Sequence, residues 1–84
     1  MAFQPLTVGS KGSRVRCVEL ALGMRFPDDT FDAKTASAVK KFQKRCFPGQ
    51  GKKWTGIVNG ATWSKLKSDE NTKKIMKDCL KVRG

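Results

Sequence analysis

Two short stretches of the chain begin a helix in the same way. Phe31-Asp32-Ala33-Lys34-Thr35 and Val58-Asn59-Gly60-Ala61-Thr62 each place an apolar residue, then Asp or Asn, then Thr three positions later. Asp and Asn accept hydrogen bonds from the free N–H groups of a first helical turn, and the apolar residue just outside packs back as a staple. The Asp32 carboxylate also offsets the positive end of the helix dipole. With 84 residues the chain has room for one domain and a thin margin of stability, so two explicit helix starts fix much of what it can become.

After the first start, Thr35, Ala38, Val39, Phe42 and Cys46 share one helical face while Lys40, Lys41, Lys44 and Arg45 point elsewhere. Pro48 and Gly49 stop that helix, and "PGQGKK" reads as a flexible basic loop. The second start leads to Trp63 and Leu66 as an apolar pair. Upstream, Gly9, Ser10 and Gly12 break the chain before a helix with Ser13 as cap and Val15, Val18, Ala21 and Leu22 as its stripe. Gly23 and Pro27 end it, and "FPDDTF" is a turn. Downstream, a fourth helix is expected with Ser68 as cap and Asp69 and Glu70 in its first turn. Its apolar side is Ile75, Met76, Cys79, Leu80 and Val82, and Lys77, Lys81 and Arg83 suit its C-terminal half. No segment shows the strict alternation of a half-buried strand. The fold class is therefore all-α, with Val15, Val18, Leu22, Val39, Phe42, Trp63 and Leu66 in one core.

Composition narrows the function classes. Eighteen Lys plus Arg against seven Asp plus Glu give a net charge of +11, which implies attraction to an anionic partner: nucleic acid, a membrane surface or an acidic polymer. No apolar run approaches a membrane span, and the N-terminus lacks the basic-then-apolar signature of a signal peptide. Either the protein acts in the cytoplasm or something else takes it out. Cys17, Cys46 and Cys79 are widely scattered and odd in number; they read as buried free thiols of a reducing compartment, and no metal site is expected. The absence of His removes the usual base for Ser or Cys nucleophiles. A glycosidase needs two carboxyls across a cleft, but Glu19 with Asp28, Asp29 or Asp32 reads as helix-surface and turn residues. No enzyme and no cofactor are expected.

"LTVGSKGSRVRCVELAL", "TFDAKTASAVKKFQK" and "GIVNGATWSKL" together resemble the peptidoglycan-binding-domain-like family, three-helix modules that accompany bacterial and phage cell-wall hydrolases. The matching positions are Leu6, Gly9, Gly12 and Val15; then Phe31, Thr35, Ala38, Val39, Phe42 and Gln43; then Gly56, Val58, Thr62, Trp63 and Leu66. Asp29 and Asp32 stand where the family has glycines, Thr55 where it has Asp, and the loop from Cys46 to Trp54 is longer than the family norm. Asp tolerates left-handed backbone better than most residues, which would let the turn survive. The resemblance implies a three-helix peptidoglycan-binding domain over residues 1–66, with an additional C-terminal helix over 67–84.

It also implies a shallow groove between the two helix starts that holds a muropeptide. The residues expected there are Asp29, Phe31, Asp32, Lys34, Thr35, Trp54, Thr55, Asn59 and Thr62. Helix-start N–H groups and Thr hydroxyls suit carboxylates and amides, Lys34 adds charge, and Trp54 is placed to stack on a sugar face. The plainer reading of the same residues is two well-capped helices, with Thr35 and Thr62 completing their caps.

Two rival classes stand beside wall binding. A basic helical domain could follow nucleic-acid phosphates through Lys40, Lys41, Lys44, Lys52 and Lys53, although no helix presents a base-reading row. Alternatively, the C-terminal helix could dock on an assembly partner, which exposure of Ile75, Met76 and Leu80 would favour. The partners expected are peptidoglycan, with a hydrolase domain beyond Gly84 or an assembly partner, nucleic acid as the less favoured alternative, no membrane, and a monomeric state. The expected place of action is the bacterial cell wall, after release or export.

Overall fold

The computed structural model describes residues 4–25 and 27–83, without the side chains of Val82 and Arg83. The expectations for Phe26 and for those two side chains lie outside the described residues. Four α-helices follow in order: α1 (Ser13–Ala21), α2 (Ala33–Cys46), α3 (Gly60–Ser68) and α4 (Lys73–Arg83). The loop between α2 and α3 contains a 3-10 turn, Gly51–Lys53, and the indole N–H of Trp54 closes that loop by donating to the Phe47 carbonyl at 2.9 Å. Among the described residues there is no strand, only two isolated bridges, Leu6 with Val58 and Lys11 with Thr30. The fold is all-α.

Those bridges belong to an N-terminal arm that ties the two helix starts together. Leu6 and Val58 exchange both backbone hydrogen bonds, at 3.0 and 2.9 Å. Gly9 N–H donates to the Phe31 carbonyl, and Phe31 N–H donates to Ser10. Phe31 and Val58 are the two staple residues, and the arm meets them at positions three residues apart, at most about 11 Å of extended chain. Both side chains are buried, Phe31 at 1% exposure and Val58 at 0%. The arm therefore places the starts of α2 and α3 side by side.

The core gathers Val15, Val18, Val39, Phe42 and Leu66 as expected, and adds Leu6, Cys17, Ala21, Phe31, Val58 and Met76. Leu22 and Trp63 pack against it only partly buried. Helix α4 lies on α1 and α3 and sends Met76 into the core, with Cys79 and Leu80 against its edge. Burying a Met side chain contributes about 1.5–3 kcal/mol, so α4 is part of the packing. Ile75 alone of its expected apolar residues is exposed among those described, at 40%.

Several local expectations are corrected. Cys17 and Cys79 form a disulfide with Cα atoms 5.6 Å apart, joining α1 to α4, and Cys46 is the free thiol. The two cysteines lie 62 residues apart and meet only because α4 folds back on α1, which spacing alone does not reveal. Closing a loop of that length contributes about 4 kcal/mol in the chain-entropy picture. Burial, with Asp69 nearby, pushes the Cys46 thiol up from its ordinary pKa.

Ser13 is the first residue of α1, with Gly12 before it. Ser68 ends α3 instead of capping α4, and its hydroxyl donates back to the Ser64 carbonyl. Asp69 and Glu70 lie in the α3–α4 turn, where the Asp69 carboxylate accepts from Asn71 N–H and pairs with Arg45 at 3.1 Å. Asp32 takes extended backbone at φ −114°, and no described non-glycine residue has positive φ, so the Asp substitutions need no left-handed conformation.

Candidate functional site

The start of α2 is a reciprocal cap. Thr35 N–H donates to Asp32 Oδ1 at 3.0 Å, and Asp32 N–H reaches back to Thr35 Oγ1 at a weaker 3.4 Å. The Thr35 backbone N–H, donating to the carboxylate, holds the Asp32 carboxyl below its ordinary pKa of 3.8. Behind the cap sits a group that sequence reasoning placed on the surface. Glu19 is 1% exposed: Oε2 accepts from the Thr35 hydroxyl at 2.5 Å, and Oε1 accepts from Asp28 N–H at 2.7 Å. Thr35 Oγ1 also lies 3.0 Å from Asp32, but its one proton favours the much shorter approach to Glu19.

The start of α3 repeats the cap with a different support. Thr62 N–H donates to Asn59 Oδ1 at 2.9 Å. Gln43, 0% exposed, donates through Nε2 to the Ile57 carbonyl at 2.9 Å and to Thr62 Oγ1 at 3.0 Å. Its Oε1 accepts from Gly56 N–H at 2.9 Å. Gly56 is required here twice over: φ is +76°, and a Cβ would lie 3.1 Å from the Ala36 carbonyl oxygen. Thr55 Oγ1 accepts from Ile57 N–H at 3.1 Å and closes a short turn ahead of the α3 start.

The nine expected site residues thus divide. Thr35, Thr62 and Phe31 are buried at 0%, 1% and 1%, and they hold the helix starts in place. Asp29, Asp32, Lys34, Thr55 and Asn59 are exposed around those starts. Beside them Val8 and Ile57 leave apolar surface at 61% and 37% exposure. Trp54 stands apart on the α2–α3 loop, half-buried, with the Lys44 ammonium 5.6 Å from its ring centroid.

Lys34 also opens a groove of about 720 Å³ that runs along the outer flank of α2. Ser37, Lys41 and Arg45 continue its α2 wall, Ala21, Leu22, Ala38 and Phe42 supply apolar surface, and Asn71 and Thr72 close it from the α3–α4 turn. Arg45 is held in that wall by Asp69. Cations beside apolar patches and small hydroxyls suit a ligand that carries carboxylates, amides and methyl groups.

The burial of Glu19 and Gln43 and the groove along α2 go beyond what was read from the sequence. The signal for the first two was present. Val15 and Glu19 are four apart, as are Thr35, Val39 and Gln43, so both polar residues fall on buried faces. The groove's far wall comes from a turn whose helix boundary was misplaced, and no periodicity marks it.

Comparison with curated proteins and with solved structures found no match. The family model described as "Putative peptidoglycan binding domain" matches residues 22–66, from the end of α1 through both helix starts to Leu66. That span is 45 of the 84 residues and contains the caps, Gln43, Gly56 and most of the groove, and on it the chain belongs to the peptidoglycan binding domain family.

Proposed function

We propose that this chain is the non-catalytic, wall-holding module of a phage or bacterial cell-wall lytic system. It takes glycopeptide at the paired helix starts and along the α2 groove. The observation that carries the reading is the family match spanning both capped starts. In this reading Asp29, Asp32, Thr55 and Asn59 meet amides and hydroxyls, and Lys34, Lys41 and Arg45 meet stem-peptide carboxylates. Stem-peptide methyl groups rest on Ala21, Leu22 and Ala38. Phe31, Thr35 and Thr62 act through position, and Trp54 offers a ring face for a sugar. Non-catalysis is supported by a sequence without His and by the commitment of Glu19 to Thr35 and Asp28. The site of action is the wall, reached by release or export, with a hydrolase domain or assembly partner supplying the cutting.

The test is sedimentation with purified sacculi at about 0.3–0.5 M salt, where the Debye length is only a few ångströms and surface charge attraction is largely screened. The parent is expected to sediment. Ser37→Trp, which fills the groove from an exposed position, should lose that salt-resistant fraction while melting with the parent. Unchanged retention of Ser37→Trp would remove the groove from the site. Release of soluble muropeptides by the purified chain would overturn the non-catalytic reading.

A further inference from the structure

A second depression, of about 540 Å³, shares no lining residue with the α2 groove among the described residues and is lined by Lys67, Lys73, Lys74 and Lys77. Lys67 comes from the end of α3, and the other three come from the beginning of α4. All four are exposed, and all lie outside the segment that the family model matches. Their placement gathers like charges at one helix start, with Glu70 and Asp78 each four residues from Lys74. Lys73 and Lys74 occupy the first turn of α4, at the positive end of its dipole, and that turn has no acidic residue to offset them. Lys73 and Lys77 are like charges four apart on one helix. The Thr72 hydroxyl, in the position where a cap could help, instead donates to the Leu66 carbonyl at 2.6 Å. An anion seated in the depression relieves all of these repulsions at once.

We infer that this lysine cradle binds a linear phosphodiester polymer of the cell wall, a polyol phosphate chain lying beside the peptidoglycan. Among the described residues the lining is the four Lys side chains, their aliphatic stems forming most of its surface and their ammonium groups its charge, with no aromatic, Arg, Asn or Gln side chain. It can therefore follow a repeated phosphate, but it cannot stack on bases or read their edges. The choice of a wall polymer rests on the wall-binding reading above. With one site on glycopeptide and a second on the neighbouring polyanion, each contact raises the effective concentration of the other.

The experiment measures binding of the whole protein to labelled poly(glycerol phosphate) across a salt series. Duplex DNA at equal phosphate concentration and sacculi stripped of phosphate polymer run in parallel. Replacing Lys67, Lys73, Lys74 and Lys77 by Gln should weaken polymer binding at least about tenfold and flatten the log–log salt slope by about 3. The same variant should melt at or above the parent, because the repulsions are gone, and should still sediment with stripped sacculi. Replacing Lys11, Lys40, Lys52 and Lys53 by Gln removes equal charge away from α4 and should cost less than about threefold, since exposed charges outside the cradle act only through a screened field. Equal losses in the two quadruple variants would overturn the cradle in favour of net charge. Cradle-dependent DNA binding as tight as polymer binding would overturn the polymer in favour of nucleic acid. A parent that binds polymer through the cradle but ignores stripped sacculi would refute the glycopeptide reading and leave the cradle standing.

Discussion

The starts of α2 and α3 use one local grammar and opposite internal wiring. Each has an apolar staple tied to the N-terminal arm, an Asp or Asn cap, and a Thr whose N–H the cap receives. At α2 the Thr35 hydroxyl donates inward, to the carboxylate of Glu19. At α3 the Thr62 hydroxyl accepts from inside, from the amide of Gln43. A hydroxyl serves either polarity by rotating its proton. Capping chemistry alone therefore leaves open whether the group behind it is an acid or an amide. The backbone groups facing the buried residue decide that. Glu19 faces a donor, Asp28 N–H, beside Thr35, whereas Gln43 must satisfy the Ile57 carbonyl and Gly56 N–H together, which an ionised carboxylate, having no donor, cannot do.

The comparison can be broken by exchanging the two residues. Gln43→Glu should be the worst change, costing about 3–5 kcal/mol at pH 7, because a buried carboxylate would face the Ile57 carbonyl at hydrogen-bond distance. Urea unfolding at constant slope measures it, and a loss below about 1 kcal/mol would mean that Gln43 does not organise the α3 start. Gly56→Ala comes next, at about 2 kcal/mol, since it forces an unfavourable φ and crowds the Ala36 oxygen. A melting point equal to the parent's would contradict the tight approach of that turn to α2.

The reverse exchange, Glu19→Gln, should be mild, about 1 kcal/mol. The amide oxygen keeps Asp28 N–H, its NH₂ donates to Thr35 Oγ1, and the Thr35 proton turns to Asp32 Oδ1, already 3.0 Å away. The α2 start would then be wired like the α3 start. A loss as large as that of Gln43→Glu would show that the negative charge itself is required.

The smallest difference lies in the caps. Asn59→Ala should lose about 1 kcal/mol at any pH between 3 and 8. Asp32→Ala should lose stability at pH 7 but progressively less in acid. The Asp32 pKa is lowered in the folded state, so its ionised form contributes fully above the ordinary carboxylate value of 3.8. That contribution is lost as pH falls through the lower folded value. Parallel denaturation curves for both variants against the parent, at pH 7 and near pH 3, separate the two caps. An Asp32→Ala deficit that stays constant across that range would sink the assignment.

Much of the helical frame was legible because its cues are local. Asp32 and Asn59 fix two helix starts, and Val15, Val18, Val39, Phe42 and Leu66 repeat with helical period into one core. What was misread depends on partners distant in sequence. Glu19 is buried because α2 brings Thr35 to it, and Cys17 is oxidised because α4 returns along α1. The fourth helix start was misplaced because Ser68 and Asp69 resemble a cap, yet their side chains bond to Ser64, Asn71 and Arg45. For the site, the residue types around the helix starts were legible. Burial of Thr35 and Thr62 was not, because a Thr at N3 looks the same whether its hydroxyl faces solvent or a buried acid.

The Cys17–Cys79 bond gives the chain a second connectivity that bypasses most of its length. The loop at 48–53 is exposed along its whole course and carries Lys52 and Lys53, an inviting target for secreted proteases. A cut there divides the polypeptide into a piece holding α1 and α2 and a piece holding α3 and α4. Because Cys17 lies on the first piece and Cys79 on the second, the nicked molecule remains one covalent body. It should run as a single species on a denaturing gel without reductant and as two after reduction. The disulfide thus lets the domain survive a first cleavage in one piece.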